Sequence, residues 1–210
     1  MIGDTKQFIF IQIPKTGCTS IQQLLAKTGG RSIQGADNWN SPYFKHITYR
    51  ELQDQLPGET IDQYYSFTFV RNPYDWLVSN YEYCRGVHVP YMKRHGYKSW
   101  EEFGKRKDDV VLKHLGFKDW LKWYVDNLYG TQYEMIVNDN DEIGVDYVGK
   151  LENIQQDYEH ICEQLDISKQ TVPHVNKTDH DNYSEYYDDE SREIVQHNYK
   201  QDFELLGYTA

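Results

Sequence analysis

One short junction constrains this chain more than any other part of its sequence. Residues 14–20 read Pro-Lys-Thr-Gly-Cys-Thr-Ser and stand between two contrasting patterns. Residues 8–13 before it are mainly apolar and rich in isoleucine, which predicts a buried strand. Residues 18–28 place apolar side chains at helical spacing, which predicts a helix. A strand that turns directly into a helix presents unpaired N–H groups and the positive end of the helix dipole, so the junction predicts an anion-binding site.

The side chains of this junction suit an anion of modest charge. Lys15 adds a positive charge, Gly17 allows close approach of the backbone, and hydroxyl donors come from Thr16, Thr19 and Ser20. The GxxxxGK[ST] pattern of a Walker A loop is absent, and no acidic partner for Mg²⁺ is evident at a strand end. A sulfuryl group fits these conditions because it carries one fewer negative charge than a phosphoryl group.

A second junction of the same kind follows. Residues 63–70 predict another strand, which ends at Arg71. Asn72 and the proline after it are a favourable helix start, so we expect a helix over about 73–86 with Ser79 inside it. Two successive strand–turn–helix units predict an α/β fold with a parallel sheet, in which both turns lie along the same carboxyl edge. Two anion sites on one edge suit a nucleotide with phosphates at both ends.

The remaining elements follow from the same patterns, and we expect one domain over residues 1–210. Further predicted elements are a helix near 48–55, a strand over 145–152, helices over 153–165 and 189–206, an acceptor-side insertion over 88–130, and an irregular acidic segment over 168–190.

Composition excludes several classes of protein. The formal net charge of −11 argues against a nucleic-acid-binding surface. The three cysteines are odd in number and far apart, which argues for reduced thiols and against a zinc site. No segment reads as a signal peptide or reaches the roughly 20 apolar residues of a membrane span, so we expect a cytoplasmic protein.

Positive charge is nevertheless concentrated in one segment. Between Arg85 and Lys118 the chain has nine Lys or Arg residues against four Asp or Glu residues. A solvated surface and a positive groove for an anionic acceptor both account for this bias, and both stay open.

At these motifs the sequence resembles the sulfotransferases that use 3′-phosphoadenosine 5′-phosphosulfate, and their carbohydrate branch in particular. IPKTGCTS resembles the 5′-phosphosulfate loop of that family, and VRNPYDWLVSNY resembles its 3′-phosphate motif. VDYVGKLENIQQDYEHICEQLDI and the C-terminal portion from VNKT onward are similar as well, so the resemblance reaches from about residue 8 to 208. It implies a P-loop-like fold, the phosphosulfate as cosubstrate, adenosine 3′,5′-bisphosphate as product, and no metal.

The resemblance also implies residue roles. Lys15 would contact the bridging or sulfuryl oxygens and stabilise charge on the leaving phosphate. Arg71 and Ser79 would hold the 3′-phosphate, and Lys177 would close over the nucleotide. The cradle of the 5′-phosphate would consist of Thr16, Gly17, Cys18, Thr19 and Ser20.

Sulfuryl transfer to a hydroxyl needs a base, and histidine is well suited to that task. KHITYREL, residues 45–52, resembles the segment of heparan sulfotransferases that carries the base, which implies this role for His46. A histidine at the surface or at a helix cap is the structural alternative. Glu51 could orient His46 or act as the base in its place.

Two other functions remain open from the sequence. One is a small-molecule kinase with a degenerate phosphate loop, and the other is a nucleotide-binding module without catalysis. For a sulfotransferase, the branch resembled favours a glycan acceptor, while a protein tyrosine, a lipid headgroup or a small alcohol stays possible.

Overall fold

The structure is a computed structural model that describes residues 1–31, 46–83, 116–127, 130–175 and 182–210. The chain divides into two compact units. The first comprises Met1–Arg71, Gly130–Lys177 and Leu205–Gly207, and the second comprises Asn72–Tyr129, Thr178–Glu204 and Tyr208–Ala210. The expectation of one domain over residues 1–210 stays a prediction.

The first unit is built on a four-stranded sheet. Its strands are β1 (Ile2–Gly3), β2 (Phe8–Ile11), β3 (Tyr65–Val70) and β4 (Tyr147–Lys150), in that spatial order. β2, β3 and β4 are parallel, whereas β1 is antiparallel to β2. The predicted α/β fold with a parallel sheet is therefore confirmed. β1 was not predicted, because a two-residue strand has no recognisable periodicity.

The described residues contain eight α-helices. They are α1 (Cys18–Ala26), α2 (Tyr49–Gln55), α3 (Gly58–Gln63), α4 (residues 73–83), α5 (Phe117–Asn127), α6 (Ile154–Gln164), α7 (Asp189–Asn198) and α8 (Lys200–Leu205). The predicted C-terminal helix is thus two helices, since Tyr199 leaves the helical conformation with φ −111° and ψ 24°. The segment predicted to be irregular contains a 3₁₀ turn, Tyr183–Tyr186.

The register of the sheet brings the ends of three strands together. Ile11 in β2 lies opposite Thr68 in β3, and Val70 in β3 lies opposite Lys150 in β4. The Thr68 hydroxyl reinforces the first pairing by donating to the Ile11 carbonyl at 2.9 Å. The chain therefore leaves β2, β3 and β4 along a single carboxyl edge.

One face of this sheet packs against α1 and α6. Alternation along β2 and β3 directs four phenylalanines to that face, where Phe10 and Phe67 stack with ring centroids 5.1 Å apart. Tyr158 and Ile161 of α6 are fully buried among them. This contact fixes α1 against the sheet and so fixes the direction of its N-terminus.

The second unit has an aromatic core, which accounts for much of the high tyrosine content. Tyr187 is buried there, and its hydroxyl donates to the Tyr74 carbonyl at 2.8 Å. The Arg192 guanidinium lies 5.5 Å from the centroid of the Tyr74 ring. Tyrosine suits such a core because its ring packs while its hydroxyl finds a polar partner.

Helix α7 begins with a complete capping box. The Asp188 carboxylate accepts from the Ser191 N–H at 2.8 Å, and the Ser191 hydroxyl accepts from the Asp188 N–H at 2.8 Å. Lys118 of α5 donates to the same carboxylate at 2.8 Å. The hydrogen bond from Lys118, followed by those from Ser191, holds the pKa of Asp188 well below its usual value.

Asp188→Ala is expected to lower the midpoint of thermal unfolding by a few degrees, because it removes both the cap and the ion pair. A folded-state pKa below the ordinary value stabilises the fold above the ordinary pKa, and this contribution is lost as pH falls. The difference from wild type should therefore shrink below about pH 4. Asp189→Ala is the control because the neighbouring carboxylate is exposed and does not take part in the capping box. Equal shifts for the two alanine variants would contradict the prediction.

Candidate functional site

The turn after β2 adopts an unusual backbone. Lys15 has φ 64° and Gly17 has φ 80°, so two residues within three positions lie in the left-handed region. A non-glycine residue in that region costs about 1–2 kcal/mol. Such strain is typical of functional sites, where the surrounding structure holds the backbone in place.

The segment after β4 holds this turn from one side. A Cβ atom added to Gly17 would lie 2.8 Å from Ile154 Cδ1 and 2.9 Å from Leu151 Cδ1. Both distances are shorter than van der Waals contact, so a side chain at this position would require Ile154 and Leu151 to shift. Gly17 therefore allows close packing as well as the left-handed turn.

The N-terminus of α1 lacks the groups that normally neutralise a helix start. Its N-cap is Gly17, with no side-chain cap and no acidic residue in the first turn. Helices α2 and α7, in contrast, both begin with capping boxes. This end of α1 can therefore accept an anion.

Two of the predicted hydroxyl donors make hydrogen bonds with main-chain groups. Thr16 is fully buried, and its hydroxyl donates to the Ile13 carbonyl at 2.9 Å. That bond holds the Thr16 hydroxyl against the turn, and a contact of this residue with the 5′-phosphate stays a prediction. The Ser20 hydroxyl accepts from the Val175 N–H at 3.3 Å and keeps its own proton for donation. Thr19 is half-buried.

Arg71 connects the second junction to the first. It follows the last residue of β3, and its Nη1 atom donates to the Lys15 carbonyl at 3.2 Å. The two predicted anion-binding turns thus approach each other at the carboxyl edge of the sheet, where the Arg71 guanidinium contacts the main chain of Lys15.

One residue that contacts this junction, Gln132, was not predicted from the sequence. Gln132 is fully buried, and its side-chain amide bonds to the backbone of Arg71. Thr131 and Glu134 make reciprocal hydrogen bonds between side chain and main chain. Their Thr-x-x-Glu spacing is a sequence pattern that indicates such a turn. No pattern marks the glutamine inside that turn, because a single polar residue in an irregular segment has no periodicity.

His46 lies directly before α2 and is half-buried. Its Nδ1 atom is 2.6 Å from the Gln12 carbonyl, which can only accept a hydrogen bond. Nδ1 therefore carries the proton in the neutral ring, which leaves Nε2 as the basic nitrogen. The residue that orients the imidazole is Gln12, at the end of β2. Glu51 completes the capping box of α2 with Thr48, and its suggested role beside His46 stays a prediction.

The other predicted site residues are placed as follows. Cys18 is the first residue of α1, is buried, and is a free thiol, as is Cys162. Ser79 lies in α4 in the second unit and is buried. Lys177 lies outside the described residues, as does most of the predicted acceptor-side insertion at 88–130.

Two kinds of feature are absent from the described part of the chain, namely a cluster of metal ligands and a membrane-spanning helix. Across those residues, His, Cys, Asp and Glu side chains form no group that could hold a metal ion. None of the helices described there has the length and apolar character needed to cross a membrane.

Comparison with known proteins gives three findings. The model of the sulfotransferase family matches residues 1–209. Carbohydrate sulfotransferase 11 from Mus musculus and that from Rattus norvegicus are each 23% identical over 238 residues, covering 100% of this chain and 67% of the relative. The crystal structure of mouse sulfotransferase SULT7A1 complexed with PAP is similar in fold. It has a TM-score of 0.53 and 13% identity, covering 97% of this chain and 86% of that one.

Gly17→Ala is expected to lower the free energy of unfolding by about 1–2 kcal/mol, because alanine is strained in the left-handed backbone and its methyl group requires two side chains to shift. Gly58→Ala is the matched control, since a Cβ atom at Gly58 has no neighbour within 4 Å. Denaturant titration of both variants measures the effect. A neutral result for Gly17→Ala would show that the turn has a different conformation.

Proposed function

The chain belongs to the sulfotransferase family, and we propose that it transfers the sulfuryl group of 3′-phosphoadenosine 5′-phosphosulfate to a hydroxyl of a carbohydrate. The family predicted from the two junction motifs is confirmed, and with it the prediction of a transferase enzyme. The two alternatives, a small-molecule kinase and a non-catalytic binding module, are not favoured by this membership.

The observation that carries the proposal is the contact between Arg71 and Lys15. The bond of 3.2 Å from the guanidinium to the Lys15 carbonyl places a second cation beside the open N-terminus of α1. A nucleotide with a 5′-phosphosulfate and a 3′-phosphate needs two anion sites within the width of one nucleoside. A guanidinium presents several N–H donors in a planar fork, which suits the oxygens of a phosphate.

The residues of the turn suit the 5′ end of this cosubstrate. Main-chain N–H groups at the start of α1, together with the Ser20 and Thr19 hydroxyls, would hold the 5′-phosphate. Lys15 would neutralise charge that develops on the bridging oxygen as the bond from that oxygen to sulfur breaks. Cys18 would contribute through its backbone, so its thiol would not need to contact the phosphate.

His46 would act on the other reactant. As the acceptor oxygen forms its bond to sulfur, the hydroxyl proton would pass to Nε2, which is basic because Nδ1 donates to the Gln12 carbonyl. The resulting imidazolium would keep that hydrogen bond, which would stabilise the positive charge. The proposed reaction therefore needs only a base and an electrostatic clamp from the protein.

A carbohydrate acceptor is proposed from the relatives, whose names describe carbohydrate sulfotransferases. The segment rich in Lys and Arg between Arg85 and Lys118 is a candidate for holding an anionic glycan. Ser79 and Lys177 remain proposed contacts of the nucleotide. A cytoplasmic location also stays a prediction.

Arg71→Ala should weaken binding of adenosine 3′,5′-bisphosphate by about 10- to 100-fold, since it removes charge-assisted hydrogen bonds to the 3′-phosphate. Binding of adenosine 5′-phosphate, which has no 3′-phosphate, should change little. Calorimetric titration with both nucleotides measures the difference, and Arg31→Ala is the control because Arg31 pairs with Asp4 at an exposed site. Unchanged affinity for both nucleotides would remove Arg71 from the site.

His46→Ala should lower sulfuryl transfer by at least about 100-fold and leave nucleotide affinity unchanged, because the base acts only on the acceptor. Transfer of labelled sulfate to a panel of glycans, phenols and lipids measures the activity and identifies the acceptor class. His197→Ala is the control, since His197 is exposed near the end of α7. Wild-type transfer by the His46 variant would place the base elsewhere.

A further inference from the structure

We infer that Gln132 is a positioning residue for the 3′-phosphate, which it serves by fixing the backbone of Arg71. This inference rests on the proposed function. Gln132 Oε1 accepts from the Arg71 N–H at 2.8 Å, and Gln132 Nε2 donates to the Arg71 carbonyl at 2.8 Å. The side-chain amide thus forms the same pair of bonds with Arg71 that a neighbouring strand would form.

The need for such a partner follows from the sheet. The pairing of β3 with β4 ends at Val70 and Lys150, so Arg71 stands one residue beyond the last pair. Without Gln132, the N–H and carbonyl groups of Arg71 would have to find other partners at the strand end. A glutamine side chain offers one donor and one acceptor on a planar amide, which matches both groups at once.

Holding the main chain at Arg71 in place also directs its guanidinium. Arg71 is the residue at which the chain leaves β3, and its side chain reaches the Lys15 carbonyl at 3.2 Å. A long side chain presents its charge reproducibly only when its Cα atom is held in place. Gln132 is fully buried, so its two bonds are shielded from competing water. It would therefore act on the nucleotide through Arg71, without touching the nucleotide itself.

The segment that contains Gln132 is itself well anchored. The Thr131 N–H donates to the Glu134 carboxylate at 2.9 Å, and the Glu134 N–H donates to the Thr131 hydroxyl at 3.1 Å. Further along, the Met135 carbonyl accepts from the Tyr49 N–H at 2.9 Å, which ties the segment to the start of α2. Gln132 thus projects from a fixed turn, as a positioning residue requires.

The test measures preference for the 3′-phosphate, defined as the ratio of dissociation constants for adenosine 5′-phosphate and adenosine 3′,5′-bisphosphate. Gln132→Met keeps the size of the side chain and removes both bonds. We expect it to lower the preference about tenfold while affinity for adenosine 5′-phosphate changes little. Gln132→Asn keeps the amide but is shorter by one methylene group, and it serves in the same assay should the methionine variant fail to fold.

Gln155→Met is the matched control. Gln155 in α6 also bridges main-chain groups, accepting from the Val172 N–H at 2.9 Å and donating to the Gln170 carbonyl at 3.3 Å. Gln155→Met should lower thermal stability because it removes these two hydrogen bonds. The preference for the 3′-phosphate should stay at the wild-type value.

A double variant separates positioning from a general structural effect. When Arg71 is already alanine, adding Gln132→Met should cause no further loss of preference, because the group that Gln132 positions is gone. Equal loss of affinity for both nucleotides in Gln132→Met, or an additive loss in the double variant, would overturn the inference. A wild-type protein without any preference for the 3′-phosphate would instead overturn the proposed function.

Discussion

The guanidinium of Arg71 donates a hydrogen bond to the carbonyl of Lys15, and the arrangement of the candidate site depends on this contact. It joins the ends of two neighbouring parallel strands, each of which supplies one cation. Parallel pairing of β2 with β3 is what makes the contact possible, since an antiparallel pair would send the two junctions to opposite edges. The site is thus a consequence of sheet topology before it is a consequence of any single side chain.

The turn at Lys15 contains one glycine, whereas a Walker A loop has two. A glycine-rich loop reaches left-handed conformations without strain, whereas here Lys15 itself takes φ 64°. The strain is held by contacts on both sides, with the Thr16 hydroxyl bound to the Ile13 carbonyl and Gly17 packed beneath Leu151 and Ile154. Lys15, the residue that carries the charge, therefore also adopts the left-handed backbone conformation of the turn.

Much of this arrangement could be predicted from the sequence, because periodicity and turn chemistry are local. The strands at 8–13 and 63–70 and the helices after them follow from patterns within a few residues, and the strand ends then follow from parallel topology. Gln132 could not be predicted, since its role depends on a contact with Arg71 across 61 residues of sequence. The orientation of His46 by Gln12 could not be predicted for the same reason, since the two residues are 34 positions apart in the sequence.

The charge distribution argues that the site is specialised for binding an anion. A chain with a net charge of −11 repels anionic substrates at long range, so local groups must overcome that field. Lys15, Arg71 and the uncapped end of α1 are concentrated at one edge of the sheet, where no carboxylate occurs in the first turn of that helix. Capping α1 with an aspartate, as Asp188 caps α7, would stabilise the helix, but it would place a negative charge where the proposed phosphosulfate must bind. The missing cap therefore costs stability, and it leaves this end of α1 without a negative charge that would oppose the proposed phosphosulfate.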